Sequence, residues 1–125
     1  MKQISESEML HRAAAYCSAS ERCIQDVEKK IKAAGLAGEE SARIVTRLLQ
    51  ERFIDESRFA RYFVNDKLRF NKWGRVKINY EMQRKGIPSS IRSEALEGID
   101  EQEYRSILLS LLKSKKKVTR GKDDR

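Results

Sequence analysis

Proline occurs once in 125 residues and glycine six times, which excludes a collagen-like repeat and a Pro/Gly-rich low-complexity chain. Two cysteines are too few for a disulfide scaffold. Cys17 and Cys23 have five residues between them, a spacing that fits no zinc or redox motif. Both fall in apolar helical patterns and read as small core residues. The single histidine, His11, has no cysteine or carboxylate cluster beside it and reads as an ordinary surface or core residue. No apolar run approaches the roughly 18 residues of a membrane span. Met1-Lys2-Gln3-Ile4-Ser5-Glu6 lacks the apolar region of a secretory signal. The expected compartment is the cytoplasm, with no membrane partner.

Enzyme signatures are missing as well. Gly35-Leu36-Ala37-Gly38 is not followed by the Lys-Ser/Thr of a phosphate-binding loop, and no strand precedes it. There is no His-Glu-x-x-His, no Gly-x-Ser-x-Gly and no cysteine–histidine pair with an orienting group. The carboxylate pairs Glu39-Glu40 and Asp55-Glu56 lie in first helical turns, where they complement the helix dipole. The expectation is a binding protein, not an enzyme, with no catalytic residue, metal or cofactor.

What remains is 39% hydrophobic and 37% charged residues, enough for one thin core or for several small repeated units. No segment alternates like a strand and no Asn-Gly or Asp-Gly hairpin signal occurs. Gly35, Gly38, Gly74, Gly86 and Gly98 separate helical patterns. Seven helices are predicted: Ser5–Cys17, Ser18 or Ser20–Ala34, Glu39–Arg52, Asp55–Asn71, Gly74–Lys85, Pro88–Gly98, and one from Asp100 to about Lys113. Ser5/Glu8, Ser18/Glu21 and Asp100/Glu103 have capping-box spacing, and Asp55 is a good N-cap.

The chain also echoes itself. Lys32-Ala33-Ala34-Gly35-Leu36 and Gln83-Arg84-Lys85-Gly86-Ile87 each end a helix with glycine plus an aliphatic residue. Phe53-Ile54-Asp55-Glu56 and Gly98-Ile99-Asp100-Glu101 each open a new helix. The expected unit is three short helices packed on its neighbours. The expected division is 1–54 and 55–99 as complete units, 100–116 as the first helix of a third, and 117–125 as a flexible basic tail.

The formal net charge of +8 is uneven. Residues 1–57 carry −1, residues 58–85 carry +7, residues 86–112 carry −3 and residues 113–125 carry +5. At about 100° per residue, Arg58, Arg61, Asn65, Arg69 and Lys72 fall within about 80° of one another. Phe59, Phe63 and Phe70 fall on another side, with Ala60 and Val64. The fourth helix is therefore expected to bury its aromatics and to display a cationic ridge with almost no acidic relief. Arg75, Lys77, Arg84 and Lys85 add charge on the fifth. Such a surface faces a polyanion more readily than water alone. Trp73, between cations in Arg69-Phe70-Asn71-Lys72-Trp73-Gly74-Arg75, either stacks on an exposed base or plugs the junction between helices. In the tail, Lys115, Lys116, Lys117 and Arg120 are expected to add phosphate contacts.

Two stretches carry a family resemblance. Phe53-Ile54-Asp55-Glu56-Ser57-Arg58-Phe59-Ala60-Arg61-Tyr62-Phe63-Val64 and Gly74-Arg75-Val76-Lys77-Ile78-Asn79-Tyr80-Glu81-Met82-Gln83-Arg84-Lys85-Gly86-Ile87 resemble the RecX family, regulators of the RecA recombinase. The Ser20–Gly35 helix and Ala95-Leu96 also fit, so the likeness spans residues 5–112. It implies an all-α, elongated protein of tandem three-helix units. It further implies binding to the RecA filament on single-stranded DNA, with direct contact to single-stranded and also double-stranded DNA. The implied outcome is restraint of strand exchange, RecA ATP hydrolysis and RecA-stimulated repressor cleavage. The chain departs from the family in that members generally carry three units and here the third stops after its first helix. A monomer is expected. Two other readings stay open from the residues: a stand-alone helix-turn-helix DNA reader, and a helical adaptor for an acidic protein surface.

Overall fold

The structure, a computed structural model, describes the backbone of residues 4–123 and the side chains of residues 4–113. It holds seven helices and, among the described residues, no strand: α1 (Glu6–Ala19), α2 (Ile24–Ala33), α3 (Gly38–Gln50), α4 (Glu56–Arg69), α5 (Arg75–Arg84), α6 (Ser89–Glu97) and α7 (Glu101–Asp123). Helices α1–α3 pack on one another, as do α4–α6, and α7 packs on α4. The fold is an all-α repeat of three-helix units.

The repeat is visible in how each unit begins. Ile4, Ile54 and Ile99 are buried and directly precede the N-caps Ser5, Asp55 and Asp100. In each case the cap oxygen accepts from the backbone N–H three residues on: Glu8 to Ser5 (3.1 Å), Arg58 to Asp55 (3.0 Å) and Glu103 to Asp100 (2.8 Å). The residue after that donor is apolar or aromatic (Met9, Phe59, Tyr104), the spacing of a hydrophobic staple. Arg58's N–H holds the Asp55 carboxyl below its ordinary value.

The second helices also end alike. Gly35 and Gly86 adopt φ of 92° and 80°, a conformation that costs other residues more. Leu36 and Ile87 then turn back, donating their N–H groups to the Ile31 and Met82 carbonyls (3.3 and 3.1 Å). Both side chains are buried, as the helix-ending motif requires. At the ends of α3 and α4 the left-handed residue is not glycine but Arg52 (φ 61°) and Lys72 (φ 59°).

Two cores result. Met9, Ala13, Cys17, Val27, Ile31, Leu36, Ile44, Leu48 and Ile54 belong to the first, and Phe59, Phe63, Leu68, Ile78, Met82, Ile87, Ala95, Ile99 and Ile107 to the second. Cys17 and Cys23 are buried free thiols, and burial pushes Cys23 up to about 11. Cys23 sits in the second core although it precedes α2.

Three expectations need correction. The second helix starts at Ile24, not at Ser18 or Ser20. The Ser18 hydroxyl donates to the Ala14 carbonyl (2.9 Å) within α1, and Glu21 is drawn away to Arg58. Asp26 instead accepts from the Cys23 N–H (3.3 Å) to open α2. Next, α7 runs on to Asp123, past residue 116 where a flexible tail was expected; no proline or glycine interrupts it before Gly121. Finally, Phe70 is not buried with Phe59 and Phe63 but is 80% exposed. It caps the end of α4, beyond the core, and Trp73 sits edge-on to Phe63 with ring centroids 6.4 Å apart.

A polar joint links the units. The Glu56 carboxylate, at the start of α4, accepts from the Ile24 N–H (3.1 Å), supplying from a different unit the cap that α2 lacks. Desolvation raises Glu56 above its ordinary value, the Ile24 bond opposes that, and Glu28 and Asp26 add to it. A carboxyl raised in this way binds more protons folded than unfolded, so its contribution to stability shrinks as pH rises from the ordinary glutamate range through the folded value. Glu56→Gln keeps an oxygen for Ile24 and removes the charge. We expect it to be at least as stable as the parent at pH 7 in urea unfolding, with a flatter decline above about pH 4.5. Glu56→Ala, which leaves the N–H unpaired, should cost about 1 kcal/mol. A Gln variant weaker than the Ala variant would show that the charge itself holds the joint.

Candidate nucleic-acid interface

The basic residues of 58–85 are distributed over two helices and a turn, and acids from other elements reach several of them. Arg58 pairs with Glu21 (2.7 Å) and donates to the Phe53 carbonyl (3.3 Å). Arg69 pairs with Glu103 of α7 (2.6 Å), which holds its guanidinium proton more tightly than usual. Arg75 pairs with Glu101, lies 4.0 Å from the Tyr104 ring centroid and gives its backbone N–H to the Tyr104 hydroxyl (3.1 Å). Lys85 reaches back to Asp26 of α2 (3.1 Å). At Asp26 burial raises the carboxyl, but the bonds from Cys23 and Lys85 outweigh it and hold the group low.

The expected ridge without acidic relief is therefore corrected. Its two ends are neutralised, because the neighbouring helices bring Glu21 and Glu103 to Arg58 and Arg69. Lys72 is not on the ridge's helix either: α4 stops at Arg69, and Lys72 lies in the following turn. The polarity at the two joints is reversed. The first unit offers the acid (Glu21 to Arg58), whereas α7 offers it to the second (Glu103 to Arg69). Opposite signs of this kind favour the native order of units over a slipped one.

Within residues 58–85, positive charge without an ion pair among the described residues remains at Arg61, Lys72 and Lys77, and Arg61 stays within electrostatic reach of Asp55 at the start of its own helix. Arg61 is exposed on α4 beside Asn65, in a small cleft that it lines together with Val64, Glu94, Ala95 and Ile99. Lys77 is exposed on α5 and lies 4.7 Å from the Trp73 ring centroid. Arg84 is only loosely held, 3.5 Å from Glu81 and largely exposed. Lys115, Lys116, Lys117 and Arg120 lie outside the residues whose side chains are described.

Trp73 is half-buried at the α4–α5 junction. Besides Phe63 at its edge, Lys67 lies 5.4 Å from its ring centroid, and the Trp73 backbone N–H closes the turn on the Lys67 carbonyl (3.1 Å). This geometry is that of a plug. The exposed rings and aliphatics of the corner are others: Phe70, Val76 (86% exposed) and Tyr80 (57% exposed). The signal that finds them in the sequence is Val76 and Tyr80, four apart and out of phase with the core pair Ile78 and Met82.

Residues 55–96, which build this corner, match the family model described as RecX, second three-helix domain. The chain is 33% identical over 91 residues to the regulatory protein RecX of Prosthecochloris aestuarii, covering 73% of this chain and 60% of that protein. The chain belongs to the RecX family. The regulatory protein RecX of Lactobacillus johnsonii is 27% identical over 103 residues, covering 82% of this chain and 38% of that protein. The chain thus spans 60% or less of the length of these two curated relatives. The crystal structure of RecX from Lactobacillus salivarius superposes with a TM-score of 0.76 at 20% identity, over 87% of this chain and 71% of that one. A second regulatory RecX structure gives 0.74 at 22%, over 82% of this chain and 50% of that one. These two establish the fold. Among the described residues, no His/Cys/Asp/Glu group is placed to hold a metal, and no helix is long and apolar enough to cross a membrane.

Proposed function

We propose that this RecX-family chain binds the filament that the RecA recombinase forms on single-stranded DNA and lowers its ATP hydrolysis, strand exchange and stimulation of repressor cleavage. It does so as a non-enzymatic, cytoplasmic monomer that touches DNA directly. The working units are 1–54 and 55–99, with 100–116 opening a third. One observation carries the reading: the second three-helix domain, which matches the RecX family model, turns the unpaired cations Arg61, Lys72 and Lys77 outward. Net positive charge concentrated there attracts phosphate and is screened by salt. An adaptor for acidic protein surfaces would gain the same attraction but no affinity for free DNA.

The test is a titration of the protein into RecA filaments on single-stranded DNA while ATP turnover is recorded. Turnover should fall at less than one molecule per recombinase subunit. Turnover unchanged at saturating protein would remove the regulatory assignment for this chain.

A further inference from the structure

We propose that Phe70, Val76 and Tyr80, with Lys72, Lys77 and Arg84 around them, form a platform on which unpaired nucleobases of a single DNA strand stack. This site rests on the DNA-binding reading above and adds to it which contact is made: the faces of bases, not only phosphates.

The exposure pattern points there first. Of the chain's four phenylalanines, Phe59 and Phe63 are in the core and Phe53 is half-buried, while Phe70 stands 80% exposed where α4 ends. On α5, Gln83, Val76, Tyr80, Arg84 and Lys77 span about 120° of the helix, opposite the fully buried Ile78 and Met82. A face needing only solvation has no use for a valine and a tyrosine beside two cations. Val76 and Tyr80 are one turn apart, so their side chains are neighbours.

Charge chooses the occupant. The corner holds Lys72 and Lys77 without acidic partners among the described residues. Its nearby acids are already engaged: Asp66 with Lys67 (3.5 Å) and Glu81 with Arg84 (3.5 Å). Arg84 also lies 6.0 Å from the Tyr80 ring centroid. Exposed rings among cations match the mixed chemistry of a single strand, whose bases offer π-faces and whose backbone offers phosphates. A duplex keeps its bases stacked on each other and offers the rings nothing. Three exposed apolar side chains set among cations make a poor dry patch for an apolar protein partner.

The experiment compares three labelled probes by fluorescence anisotropy: oligothymidylate, an abasic strand of the same length and charge, and a duplex. The proteins are the parent, Phe70→Leu, Tyr80→Leu and the double variant. Leucine keeps apolar volume and removes the ring, and at these exposed positions the melting midpoint should not move. The parent should favour oligothymidylate over the abasic strand. The double variant should lose about tenfold or more for oligothymidylate with abasic binding and its salt slope unchanged. Equal binding of both strands by the parent, or an undiminished double variant, overturns the platform while leaving phosphate binding in place. Failure of the parent to bind any probe at low salt overturns the DNA-binding reading itself. Loss of binding to RecA without DNA in the double variant would make the corner a protein contact and also overturn the platform.

Discussion

Phe63→Ala should lower the free energy of unfolding by about 3–4 kcal/mol, measured from urea unfolding of the full chain. Phe63 is 6% exposed and is the ring on which the α4–α5 corner is assembled. Phe59 stacks on it with centroids 5.7 Å apart, Trp73 meets it edge-on at 6.4 Å, and the Lys67 ammonium lies 5.5 Å from its centroid. Truncation removes the apolar burial, leaves a cavity and removes two aromatic contacts, each worth about 0.5–1.5 kcal/mol beyond area. The turn that positions Phe70 and Lys72 should loosen with it, because Trp73 loses its support. A loss below about 1 kcal/mol would mean that the second core does not depend on this ring stack.

Replacing Arg61, Lys72 and Lys77 together with Glu should weaken single-stranded DNA binding by about a hundredfold at 0.1 M salt. Three phosphate contacts lower the slope of log affinity against log salt by about 2 for a single strand, and that slope sets the factor. The three side chains make no ion pair among the described residues, so circular dichroism and unfolding should change little. Reversal of Arg58 and Arg69 should behave differently. It places like charges at Glu21 and Glu103, which loosens the joints while changing the salt slope less. If the Arg58/Arg69 pair lowers the slope more than the triple variant does, the phosphates are read along the ridge of α4 and not at the corner.

The elements themselves were legible because their causes act within a turn or two. Apolar spacing of three and four residues, the caps at Ser5, Asp55 and Asp100, and Gly35 and Gly86 each specify backbone locally, and the structure follows them. The one misplaced start, at α2, illustrates the limit. Ser18 and Glu21 had the spacing of a cap, but a competing carbonyl within α1 and an arginine from another unit took them. Phe70 failed for a related reason: its position on the helix wheel faces the core, yet the core ends before it does.

Composition and periodicity by themselves determined that this protein is an all-helical repeat with buried faces of Phe59, Phe63, Ile78 and Met82 and a surplus of positive charge between residues 58 and 85. Tertiary structure alone decided which of those charges stay available. Arg58, Arg69, Arg75 and Lys85 meet acids 26 to 59 residues away in the chain, and a pairing over that separation is set by how helices pack, since a helical pattern carries information only along its own face.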